Sequence, residues 1–244
     1  MISADQPKIF ADDLIVAVSS RDDGTMLDRA MGIHDGSIVS NRTLFCQKAG
    51  LDYKNVVYQR INYDQSQIYD VIREVDQNST VDKLSEVAAD ALITNQSGVG
   101  LFLPIADCVA TVIYDPKNRY LAMAHLGRHS TVADLAKKLI DKLVAKGSNA
   151  KELLVWMSPS AQKQSYKMEW FDRADQPDWQ EFCQKKADGY YLDMSGYNQQ
   201  KFIESGVLKD NIEISAVDTI TNQNYFSHAA GDTKGRFAVV SVMQ

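Results

Sequence analysis

Short apolar runs, broken by turn-forming residues, dominate this chain, and three segments of helical spacing lie among them. Leu14-Ile15-Val16-Ala17-Val18 reads as a first strand. Residues 55–58, the alternating stretch 153–157, and 212–216 and 237–242 read as further strands, with 67–74 as a possible continuation of strand structure. The clearest helix spans 131–146, where Val132, Leu135, Ala136, Leu139, Ile140, Leu143 and Val144 recur on one face. Ser130 or Thr131 can cap its start and Gly147 can end it. A second helix is predicted over 38–49, stopped by Gly50, and a third over 194–205, capped by Asp193 and stopped by Gly206. Segments 19–36 and 76–86 are polar connectors, and 159–179 is irregular and aromatic. No internal repeat occurs, and helices do not alternate regularly with strands. The pattern predicts an α+β protein with mixed or antiparallel sheets, as one domain over residues 1–244.

The most informative segment is ADCVATVIYDPKNRYLAMAHLGRHST, which reads as a β-hairpin fed by a strand over 98–105. Residues 109–114 and 119–124 are β-branched, aromatic and apolar, as strands prefer. Asp115-Pro116-Lys117-Asn118 is turn chemistry. With those four residues as the loop, Tyr114 faces Arg119, Val112 faces Leu121, Ala110 faces Met123, and Cys108 faces His125. Directly opposed residues have Cβ atoms about 4.5–5.5 Å apart on one face. A thiolate and an imidazole at that separation can share one metal or one proton.

Composition narrows the setting. The chain has 244 residues, 45% apolar and 24% charged, an ordinary globular balance. A net charge of −6 argues against a nucleic-acid polymer as partner and leaves a small ligand open. Three widely spaced cysteines, Cys46, Cys108 and Cys183, do not make a disulfide framework. Cys46 and Cys183 fall on predicted helices and read as packing residues. The first residues lack a basic start, and the apolar run 99–105 is cut by Pro104 and Asp107, so neither a signal peptide nor a membrane span is expected. A cytoplasmic protein is the expectation.

The segments ADALITNQSGVGLFLPIADC and AMAHLGRHST resemble the laccase-domain family, also described as YfiH-like, multicopper polyphenol oxidase, purine nucleoside phosphorylase or peptidoglycan-editing factor proteins. The resemblance is carried by Ala106-Asp107-Cys108, Asp115-Pro116, Ala124-His125, Gly127 and Thr131. Gly32-Ile33-His34-Asp35-Gly36 with Asn41-Arg42, and Tyr225-Phe226-Ser227 with Gly235-Arg236-Phe237, match its flanking motifs. It implies a layered α/β/β/α sandwich with mixed sheets and a His-Cys-His metal site, best regarded as zinc. Copper appears in older descriptions of the family. Four coppers need many histidines, and this chain has four: His34, His125, His129 and His228. The activities implied are phosphorolysis of purine nucleosides and deamination of adenosine, with a nucleoside and phosphate as small-molecule partners; some relatives are linked to peptidoglycan editing.

Carried over residue by residue, Cys108 and His125 match two metal ligands. The third lies in a Gln-x-His motif whose counterpart here is read as Asn62-Tyr63-Asp64, which places Asp64 as the third ligand. His34, Arg42, Arg128 and Arg236 are candidates for substrate binding, and His129 joins Cys108 and His125 as a candidate catalytic group. The chain departs from the family pattern where Gly-Trp-Arg-Gly becomes Gly127-Arg128-His129-Ser130, and where Ala229 and Ala230 stand in place of arginine-bearing sequence. Three functions follow: a zinc-dependent enzyme of purine nucleoside phosphorylase or adenosine deaminase type, a catalytically degenerate homologue that binds a small ligand or partner, and a metal-free hydrolase with Cys108 as nucleophile and His125 as base.

Overall fold

The computed structural model describes residues 1–63 and 68–244. The first half supplies β1 (Leu14–Val18), α1 (Gly36–Lys48), β2 (Val56–Arg60), β3 (Ile72–Glu74), β4 (Val87–Ala88), β5 (Ala91–Thr94) and β6 (Gly100–Ile105). The hairpin strands β7 (Val109–Asp115) and β8 (Tyr120–Leu126) precede α2 (Arg128–Val132) and α3 (Leu135–Ala145). Then come β9 (Leu154–Met157), β10 (Lys167–Met168), β11 (Cys183–Lys186), β12 (Gly189–Leu192), α4 (Met194–Glu204), β13 (Ile212–Ile214) and β14 (Phe237–Met243).

These strands form a five-stranded sheet ordered β1-β14-β6-β2-β4 and a six-stranded sheet ordered β13-β9-β7-β8-β5-β3. A small β10-β12-β11 sheet lies apart. Both large sheets mix parallel and antiparallel pairs. Their inner faces share one core, with Val57, Leu101, Leu103 and Val239 from the first and Val112, Leu121, Met123 and Trp156 from the second. Helix α1 covers the outer face of the first through Phe45 and Cys46 against Phe102 and Val240. Helices α3 and α4 cover the outer face of the second, with Leu139, Leu143 and Phe202 over Ile113, Ala122 and Val155. The order of layers is therefore α/β/β/α, as expected. Because β6, β7 and β8 are covered on both faces, they read as nearly continuous apolar runs.

The hairpin register differs from the sequence expectation by two residues. Asp115 pairs with Tyr120 and Ala110 pairs with His125, so the loop is 116–119. The cause is the Asp115 side chain. It is fully buried, and it accepts hydrogen bonds from the backbone N–H groups of Lys117 and Asn118, each at 2.9 Å, and from Asn118 Nδ2 at 2.9 Å. An aspartate that caps its own turn ends the strand rather than entering the loop. A slip of two preserves the face on which each side chain lies.

The helix expected over 131–146 is two helices, α2 and α3, broken at Asp134, which has φ 59°. Aspartate is one of the few residues that takes this left-handed conformation readily. The cap of α2 is Gly127, not Ser130 or Thr131, and Ser130 Oγ accepts from the Gly127 N–H at 3.0 Å. Cys183 lies on strand β11, not on a helix. Among the described residues, no helix is long and apolar enough to cross a membrane.

The substitution Asp115→Ala removes three hydrogen bonds from a buried carboxylate. A loss of about 1–3 kcal/mol in urea unfolding is expected, the cost of orphaning such groups. A change within the roughly 0.5 kcal/mol of an ordinary surface substitution contradicts this role for Asp115.

Candidate functional site

The loop between β6 and β7 turns at Asp107, which has φ 70° and is buried. Its carboxylate accepts from Thr219 Oγ1 at 2.8 Å and from the Ala229 N–H at 2.8 Å, and its carbonyl accepts from the Ala161 N–H at 2.9 Å. Three distant segments thus fix the residue that precedes Cys108. On β8, the His125 N–H donates to the Asp90 carbonyl at 2.9 Å, and the His125 carbonyl accepts from Ser130 Oγ at 2.7 Å. Gly127 completes the arrangement. A methyl group built there would lie 2.9 Å from Cys108 Sγ, 3.0 Å from His125 Cε1 and 3.4 Å from His125 Nε2. The sulfur and the imidazole edge therefore converge on one point beside a residue without a side chain, the use to which glycine is suited.

Burial, and then the Asp107 carboxylate, push the Cys108 thiol up to about 12. Burial, with Arg29 and His129 adding positive charge, lowers His125 to about 4. At neutral pH the pair is a thiol and a neutral imidazole, not a thiolate–imidazolium pair. His125 Nδ1 is buried with no hydrogen-bond partner among the described residues. A neutral imidazole and a sulfur that ionises when a cation arrives are suited to a metal.

Both groups line a cavity of about 550 Å³. Arg236 and Arg29 face it as well; the Gly-Arg-Phe motif points to Arg236, whereas no motif marks Arg29. Arg236 is buried, and among the described residues its Nη1 donates to backbone carbonyls, of Gly235 at 2.6 Å and Asp232 at 3.4 Å. Burial, and then the nearby Arg29 charge, lower its pKa. Tyr58, Tyr166 and Ile61 give the cavity aromatic and aliphatic wall, and His228 reaches its lining too.

The other sequence candidates lie elsewhere. Arg42 is buried behind the cavity, where Nε donates to the Met26 carbonyl at 2.7 Å and Nη1 to the Ile33 carbonyl at 2.8 Å. Its guanidinium also sits over the Tyr58 ring, 4.4 Å from the centroid. It holds the loop that carries Leu27, Arg29 and Ile33 to the cavity, and does not line the cavity itself. His34 is exposed and outside the lining. Arg128 and His129 face a separate cleft, because Gly127 caps α2 and turns the following side chains away. Asp64 lies outside the described residues. Among the described residues, no third histidine, cysteine or carboxylate joins Cys108 and His125 in a metal-binding group. The spacing of a Gln-x-His motif is met on the cavity wall by Gln59 and Ile61, and isoleucine offers no donor.

Residues 23–244 match the family described as multi-copper polyphenol oxidoreductase laccase. The chain belongs to this family. It is 24% identical over 215 residues to the purine nucleoside phosphorylase YlmD of Bacillus subtilis, spanning 83% of this chain and 76% of that protein. Two solved structures share the fold at 20% identity. YfiH of Bacillus licheniformis has a TM-score of 0.80, covering 95% of this chain and 93% of its own. YlmD of Geobacillus stearothermophilus has a TM-score of 0.81, covering 98% and 94%. The YfiH-like layered architecture inferred from sequence motifs is thereby established.

Replacing Asp107 by alanine removes both carboxylate hydrogen bonds and places a residue at φ 70° that resists it. A destabilisation of roughly 2–3 kcal/mol is expected in denaturant unfolding, the scale for bonds to a charged group. If stability is unchanged, Asp107 does not anchor the Cys108 loop.

Proposed function

We propose that this chain is a zinc-dependent enzyme that acts on purine nucleosides, with phosphorolysis as the reaction. The observation that carries this reading is the convergence of Cys108, His125, Arg29 and Arg236 on one cavity with aromatic walls. The name of the Bacillus subtilis relative supports it. The cavity is within the usual range for small-molecule sites, roughly 300–1,000 Å³.

Cys108 and His125 would hold the metal, with Asp64 as the candidate for a third donor. Zinc, when bound, supplies positive charge that polarises phosphate or water. The remaining work falls to the protein. Arg236 is held by carbonyls and, among the described residues, has guanidinium donors left over, so it suits an oxyanion. Arg29 brings a second positive charge to the same cavity, and its guanidinium lies 5.0 Å from the Tyr63 ring centroid. Tyr63 and Tyr166, which line the cavity, offer aromatic surface to a purine. Phosphate held by the arginines attacks ribose C1′, a C–O bond forms as the bond to the purine nitrogen breaks, and the purine leaves with a proton taken from solvent or a rim group.

One observation favours a second reading, a homologue that binds its ligand without turnover. Ile61 occupies the cavity wall where a Gln-x-His spacing from Gln59 would set a histidine. The metal-free hydrolase has less support, because burial and the Asp107 carboxylate keep the Cys108 thiol un-ionised at neutral pH.

The deciding experiment incubates the zinc-loaded protein with adenosine, inosine or guanosine, with and without phosphate, and measures free base, ribose 1-phosphate and ammonia. Phosphate-dependent release of base is expected. Cys108→Ala should abolish it, and Arg236→Gln should lower kcat/KM by about 10²–10³-fold, the scale for one lost transition-state contact. Ammonia release without phosphate would instead mark deamination. Nucleoside binding without any product would establish the non-catalytic reading.

A further inference from the structure

Arg128 and His129 replace residues of a family motif, yet neither enters the Cys108 cavity. They line a second cleft of about 530 Å³ on the outer side of the six-stranded sheet, between α2 and the irregular segment around residue 170. The His129 ring is stacked on Tyr69, with centroids 4.6 Å apart and planes 18° from parallel. Arg128 Nη2 lies 3.2 Å from His129 Nε2, a neutral partner. Burial, and then the Arg128 charge, lower the pKa of His129.

Across the cleft, Trp170 is 66% exposed, which is unusual for an indole in a soluble protein. Arg173 stands beside it. Its nearest ion-pair partner is its own neighbour Asp172, at 3.7 Å, and Arg173 Nε has no hydrogen-bond partner among the described residues. Two guanidiniums face one carboxylate here, so the cleft is net positive on a chain whose total charge is −6.

We propose that this cleft is a second binding site, separate from the Cys108 cavity, for a nucleoside monophosphate. The chemistry is matched part by part. Trp170 and the Tyr69–His129 stack present flat faces that a base can cover, a contact that tolerates any base. Arg128 and Arg173 present planar guanidiniums able to bind two phosphate oxygens each. An uncharged nucleoside leaves the arginines unmet, and phosphate alone leaves the indole in water. The site therefore selects the ester over either of its parts. The inference does not rest on the activity proposed for the first cavity.

Trp170 also supplies the test. The other two tryptophans, Trp156 and Trp179, are each 1% exposed, so a ligand that covers an indole from solvent reports on Trp170. Tryptophan emission of the intact chain is titrated with adenosine monophosphate, adenosine and inorganic phosphate. A saturable change with adenosine monophosphate is expected, with adenosine and phosphate each binding at least tenfold more weakly. Arg173→Gln should weaken the monophosphate about tenfold, one charge-assisted contact. Trp170→Ala should do the same by equilibrium dialysis, and Cys108→Ala and Arg236→Gln should leave binding unaltered. No saturable change at millimolar ligand overturns the proposal. So does binding that survives Arg173→Gln and Trp170→Ala and fails in Arg236→Gln, since the ligand then occupies the first cavity. The substituted side chains Trp170 and Arg173 are exposed or half-exposed, and circular dichroism confirms that each variant is folded.

Discussion

The close approach at Gly127 is the constraint on which the candidate site depends. Cys108 comes from the start of β7 and His125 from the end of β8, and both reach the space a side chain at residue 127 would fill. Any larger residue there forces the sulfur and the imidazole apart. The approach is held from both sides. Asp107 anchors the Cys108 loop to Thr219 and Ala229, and Ser130 ties the His125 carbonyl to the Gly127 N–H. Strands buried on both faces provide the rigid frame that such a pair requires.

The two sheets divide the labour. Their shared apolar core fixes the ends of β6, β7 and β8 at one edge of the layers. Polar and ionisable groups gather where those strands end, and loops from distant parts of the chain complete the cavity. Arg42 shows how this is done without touching a ligand. A buried cation bonded to the Met26 and Ile33 carbonyls shapes the loop between them, and that loop delivers Arg29. Arg236 arrives from the segment before β14, held by its own backbone neighbours. The result is a cavity with two cations, a thiol and a neutral imidazole, the groups on which the proposed binding of an anion and a metal rests.

Much of this was legible in the sequence, for physical reasons that can be named. Apolar runs such as 100–105 and 237–243 report strands whose faces are both covered. The hairpin pairing differs by two residues because Asp115 has the composition of a loop residue, whereas its carboxylate caps the turn and its backbone stays in the strand. His125 pairs with Ala110 and not with Cys108, but a two-residue slip leaves Cys108 and His125 on one face, and Gly127 lets their side chains approach diagonally. Arg128 and His129 line a different cleft from His125, because adjacency along the chain says nothing of direction once a helix begins at Gly127. Arg29 carried no local pattern at all; only the fold brings residue 29 near residue 236. The helix break at Asp134 was hidden because apolar spacing continues across it.

The Cys108 sulfur and the His125 ring are aimed at one place. Diffraction data collected at the zinc absorption edge from zinc-soaked crystals test this directly. An anomalous peak is expected within bonding distance of both Cys108 Sγ and the His125 imidazole. A map with no peak between them, or with the two side chains turned to different faces of the hairpin, contradicts it.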